Sequence, residues 1–246
     1  MTELEPGRLY ARLVGKLEDI RTMAHLLSGP ELHVVEDRGS FYLRLTQADE
    51  LFLEVRARDL VEAANGAYKA AFGRPIDVRV DGTLRFDSEG RRHFAVGLEA
   101  GVYVFTGASI GAEIRTPEGV RIEARPDDIL RSGIENLVAN PSLASAYQMF
   151  YRVGDTWQGL YNVLELLQAA GSDPVRQGYC TKPEMSRFTQ TANSFEAVGV
   201  EARHAKPDFP APNNPMTLRE AKDLFQRVLL QAISGAASPI GKTEER

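Results

Sequence analysis

The chain has 246 residues, 43% of them hydrophobic and 26% charged, with a formal net charge of −5. That length and balance support a sizeable core without disulfides or metals and argue against wholesale disorder. Neither half of the chain is basic, which withholds the charged face that nucleic-acid binding normally needs, and the single Cys180 excludes an internal disulfide.

The first predicted element is a helix from about Pro6 to Leu27, with Leu9, Leu13, Leu17, Ile20 and Leu27 on one face and Ser28-Gly29-Pro30 as its stop. Two short strands follow, Leu32 to Val35 and Phe41 to Leu45, joined through Glu36-Asp37-Arg38-Gly39-Ser40, where glycine tolerates positive φ. A helix is expected from roughly Arg58 to Ala71 through Leu60, Val61, Ala64, Tyr68 and Ala71, weakened by Gly66. Pro75 to Phe86 alternates as a strand (Ile76, Val78, Val80, Leu84, Phe86) around a bend at Asp81-Gly82. His93 to Thr106 reads as its partner, and a further hairpin is expected from Glu113 to Arg115 and Val120 to Glu123.

After Arg125 the pattern becomes helical. The expected helices are Ile129 to Val138, Ser142 to Tyr151 behind an Asn140-Pro141 cap, and Thr156 to Ala170 behind an Asp155 cap. Thr181-Lys-Pro-Glu184 is a capping box opening a helix whose Met185, Phe188, Ala192 and Phe195 form the buried stripe and which Gly199 ends. Thr217-Leu-Arg-Glu220 is a second capping box and opens a last helix to about Ile233. The fold class is therefore α+β, with a mixed helix and antiparallel-strand module over residues 1–125. An all-α bundle of four to five helices follows over 126–234, and then a flexible tail over 235–246.

Chemistry is sparsely signalled. Gly235 to Thr243 looks like a phosphate-binding loop, but its glycines are one residue too far apart, no strand precedes it, and three residues are too few for the helix that should follow. The four histidines, His25, His33, His93 and His204, form no metal-ligand spacing, so no metal or cofactor is expected. No Gly-x-Ser-x-Gly elbow is present. Trp157 and Tyr161, four apart on a helix, meet on one face, where burial in the bundle is favoured over a stacking platform.

The adjacent Arg203 and His204 are the weak catalytic candidates, since an arginine can hold a phosphate and a histidine can move a proton near neutrality. Arg187 and Asn193, on the preceding helix, are the candidates for a ligand-binding surface beside them. The competing account pairs Arg203 with a carboxylate such as Glu165 or Glu196, leaves His204 capping the bundle, and braces both with the four-proline run Lys206 to Pro215.

A helical bundle with a late Arg followed by a polar residue, then a last helix, resembles HEPN domains, many of which are metal-independent RNases of toxin and phage-defence systems. Arg203 and His204 match the opening of their motif over residues 127 to 234; the downstream positions Lys206, Pro207, Asp208 and Phe209 lack its histidine. The resemblance implies RNA as substrate, with Arg203 on the phosphate and His204 as acid or base. From the residues themselves, the leading expectation is a bacterial-type cytoplasmic binding or assembly protein whose Arg203-His204 corner is structural or recognises an anion. Its expected partner is another protein or a second copy of the chain; the net charge lends RNA no support. A membrane is not expected, since no apolar run is long enough to span one and Met-Thr-Glu-Leu-Glu-Pro lacks the pattern of a signal peptide.

Overall fold

The structure, a computed structural model, describes residues 4, 8–29, 31–45, 52–86, 91–95, 126–203 and 209–234. The strand expected beyond residue 95, the hairpin within 113–123, His204, residues 206–208 of the proline run and the tail lie outside the described residues. The described chain has an α+β fold: an antiparallel five-stranded sheet in its first half and a helical assembly in its second.

Strands β1 (Leu9–Val14), β2 (Leu32–Asp37), β3 (Ser40–Leu45), β4 (Arg79–Phe86) and β5 (Arg92–Ala95) are ordered β2-β3-β1-β4-β5. The central strand occupies sequence expected to be helix. Leu9 and Leu13 are four apart, a spacing that fits one face of a strand as well as one face of a helix. With Ala11 they point to the main core, while Tyr10 packs on the opposite face of the sheet. Pairing with β3 on one side and β4 on the other therefore wins over local helix preference. The helix starts later, as α1 (Leu17–Leu26).

The β2–β3 hairpin turns at Arg38 and Gly39 with φ of 50° and 75°, the positive pair that a tight antiparallel turn needs. The expected bend at Asp81-Gly82 is a β-bulge: Ala11 pairs with Thr83 but Leu13 with Val80, so β4 carries an extra residue there, with Gly82 at φ 81°. The bulge changes which side chains share a face. Val80 joins the main core, whereas Leu84 packs with Tyr10, Val35 and Tyr42 on the far side, so the alternation expected to hold both on one face is broken.

Helix α2 (Leu53–Phe72) lies against the sheet and runs under the helical half. Its Gly66, expected to weaken it, sits at a helix crossing: a methyl group there would land on the Tyr147 carbonyl oxygen. The glycine allows α2 and α4 to approach closely.

The remaining helices are α3 (Pro126–Ala139), α4 (Pro141–Val153), α5 (Trp157–Ala169), α6 (Lys182–Asn193), the single turn α7 (Phe195–Val198) and α8 (Leu218–Ser234). Asn140 caps α4 by accepting from the Leu143 N–H at 3.0 Å. At α5 the cap is Thr156, whose Oγ1 accepts from the Gly159 N–H at 3.0 Å, and not Asp155. Asp155 is instead drawn to two lysines. Both expected capping boxes form, Thr181–Glu184 on α6 and Thr217–Glu220 on α8. Helix α6 stops short of Gly199, because Ser194 ends it and caps α7, accepting from the Ala197 N–H. That break leaves Phe195 46% exposed, outside the buried stripe of Met185, Phe188 and Ala192.

One continuous apolar cluster joins the two halves: Leu13, Leu43, Val61 and Ala64 belong to it together with Tyr147, Leu160, Phe188 and Phe225. Among the described residues no helix is long and apolar enough to cross a membrane.

Candidate functional site

The Arg203 corner is built from α5, α6 and the chain that leaves the 3-10 turn Gly199–Glu201. On α5, Trp157 is buried and stacks on Phe188 with ring centroids 6.1 Å apart. Tyr161, one turn on, lies 6.2 Å from the same ring, and Phe188 in turn meets Phe225 of α8 edge-on at 4.8 Å. The two α5 aromatics are thus part of the packing between α5, α6 and α8. Arg203 closes over Tyr161: its guanidinium carbon lies 4.1 Å from the ring centre, and its Nη2 donates to Glu165 Oε1 at 2.6 Å. The Arg203 N–H donates to the Ala192 carbonyl at 2.9 Å, which anchors the corner to the end of α6. Of the two carboxylates expected as partners Glu165 takes the arginine, while Glu196 accepts the Ala211 N–H at 3.2 Å.

Among the described residues no hydrogen bond or ion pair links Arg187 or Asn193 to the Arg203 side chain. Arg187 faces the start of α8, where Nη1 donates to Glu220 Oε1 at 3.0 Å and Nε to the Asn214 carbonyl at 2.8 Å. Its Nη2 also donates to the Pro215 carbonyl at 3.1 Å. Glu220 serves the Thr217 capping box with the same carboxylate, and hydrogen bonds from Thr217 and Arg187 hold its pKa down at about 2. Glu184 has the matching role on α6, closing the Thr181 box and accepting from Arg227 of α8 at 2.6 Å. Asn193 turns back on its own helix, donating to the Thr189 carbonyl at 2.8 Å.

Two further groupings carried no clear signal in the sequence. Lys69 sits in the Ala-rich stretch of α2, 6% exposed, and donates to Asp155 Oδ2 at 2.6 Å and to the Phe150 carbonyl at 3.2 Å. Lys222 of α8 meets the other oxygen of Asp155 at 2.5 Å. Burial opposes the charge on Asp155, but the hydrogen bonds from Lys222 and Lys69 outweigh it and hold its carboxyl below the usual range. A lysine inside an apolar helical stripe was the one visible hint of this triad.

The second grouping is a cleft of about 670 Å³ where the β2–β3 hairpin meets α2, α3 and α4. Leu32, Leu45, Leu60, Leu137, Val138 and Ala144 form its apolar lining, with Arg56, Asp59 and Glu135 as exposed charged groups. These residues come from distant stretches, so no local pattern could announce them.

The chemistry that these residues can perform is limited. Burial pushes the Cys180 thiol up to about 11, so it stays protonated and unreactive at neutral pH. Among the described residues no group of three or more His, Cys, Asp or Glu side chains could hold a metal ion. Comparison with family models, curated proteins and solved structures finds no match for the chain.

Proposed function

We propose that the protein is a non-catalytic binding or assembly protein in which the Arg203 corner is a structural brace. The observation that carries this reading is the double commitment of Arg203, stacked on Tyr161 and hydrogen-bonded to Glu165. A scissile phosphate would have to displace the Glu165 carboxylate and would meet its negative charge beside the arginine. The buried, protonated Cys180 suits a reducing compartment such as the cytosol. The rival reading is a HEPN-like, metal-independent RNase using Arg203 and His204.

Incubating wild type and an Arg203→Ala/His204→Ala variant with total RNA in EDTA separates the two. Neither protein is expected to cleave. Arg203→Ala alone is expected to lower the unfolding free energy by about 1 kcal/mol in urea titration, the scale of a half-exposed ion pair plus one cation–π contact. The brace is one-third exposed and its partner about half exposed, so the larger loss of a fully buried pair does not apply. Metal-independent cleavage by wild type, lost in the double variant, would replace this reading with the RNase one.

A further inference from the structure

The cleft beneath the β2–β3 hairpin is the place where the binding reading gains a site. Its volume of about 670 Å³ falls within the roughly 300–1,000 Å³ usual for small-ligand sites, and its walls combine an aliphatic lining with a few charged groups. The walls are firmly held. Gln148 of α4 donates to the Asp59 carbonyl of α2 at 2.8 Å, and Leu32, Leu60 and Leu137 are buried members of the main core.

Two of its acids differ from their neighbours on α2. On α2 the acids on either side of Asp59 are both engaged, Glu54 with Arg58 and Glu62 with Arg152. Asp59, which lines the cleft, has no ion pair or side-chain hydrogen bond among the described residues, and the same holds for Glu135 on α3. Against these two carboxylates the lining sets the single guanidinium of Arg56. The excess charge facing the apolar lining is therefore negative. Next to a low-dielectric wall such carboxylates favour a cation more strongly than they would on open surface.

We propose that this cleft binds a small organic amine: an apolar body of alkyl or aryl carbon on the leucine lining, and a protonated amino group at the Asp59 and Glu135 carboxylates. The inference rests on the binding reading and supplies its ligand class. None of the residues involved belongs to the Arg203 corner.

n-Octylamine, protonated at neutral pH, is the probe, and octanoate of equal chain length is its control. Isothermal titration of the full chain is expected to show saturable one-to-one binding of the amine, with octanoate at least about tenfold weaker, the discrimination that about 1.4 kcal/mol of charge preference gives. Asp59→Asn with Glu135→Gln, both at exposed positions, is expected to weaken the amine by about tenfold or more and to narrow its preference over octanoate. Arg56→Gln is expected to act in the opposite direction and tighten the amine a few-fold. Octanoate binding as well as or better than the amine would overturn the proposal. So would an absence of saturable amine binding, or an affinity that neither the carboxylate nor the arginine variant changes. Failure here with no RNA cleavage by wild type removes the amine and leaves the binding reading; cleavage in the RNA assay removes the binding reading itself.

Discussion

Lys69 carries its ammonium group into the junction of α2 with the α4–α5 turn and α8, where, among the described residues, Asp155 and one carbonyl accept its hydrogen bonds. The ring of Phe150 lies 5.1 Å from its Nζ and adds a third contact. Removing the carboxylate strands a buried charge, while removing the lysine leaves only a half-exposed acid that Lys222 still holds. Asp155→Ala is therefore expected to lose about 1–2 kcal/mol in urea titration, moderated by the exposure of Asp155, and Lys69→Met in the same background to recover part of it. Glu220 supplies a pH-dependent counterpart. Its folded pKa of about 2 lies below the unfolded value, so its stabilisation is complete above about pH 4.3 and disappears as the pH falls through about 2. The gap in urea midpoint between wild type and Glu220→Gln is expected to close over that interval, and a constant gap would show that the carboxylate's charge contributes nothing.

At the scale of elements, the crossing of α2 and α4 depends on the missing side chain of Gly66. Alanine would favour an isolated helix by about 1 kcal/mol, yet here it collides with backbone that cannot rotate away. Gly66→Ala is expected to destabilise the protein by about 1–3 kcal/mol by calorimetry or urea titration, against the sign that helix propensity alone predicts. Features with a local signal were legible in the sequence. The two capping boxes, the Asn140 cap and the hairpin turn within residues 36–40 each draw on partners within four or five residues, and each forms. Features that distant partners decide were not. Residues 9–14 became the central strand because β3 and β4 flank them, and Leu84 changed faces because a bulge two residues earlier shifted the register. Asp155 lost the capping role to Thr156, with two lysines more than sixty residues away in the chain as its partners. The Glu165 pairing of Arg203 was legible as one of two candidates, whereas the cleft was not, since its lining is assembled by tertiary packing alone.

Across the whole molecule the main core is shared between sheet and helices, so neither half can open without exposing apolar surface of the other. Trp157 is the only tryptophan and lies in the helical half, whereas far-UV circular dichroism reports on both halves. Their urea transitions are expected to coincide; a Trp157 transition displaced from the far-UV one would reveal two separately folding units. The same interdependence is built into the pair α6 and α8. The carboxylate that completes the first turn of α6 is gripped by Arg227 of α8, and the one that completes the first turn of α8 is gripped by Arg187 of α6. Neither helix therefore has a fully satisfied beginning until the other has arrived. In folding, the two must mature as one event, and in the native state fraying at either start loosens the other, so that their first-turn amides open to hydrogen exchange as one cooperative unit.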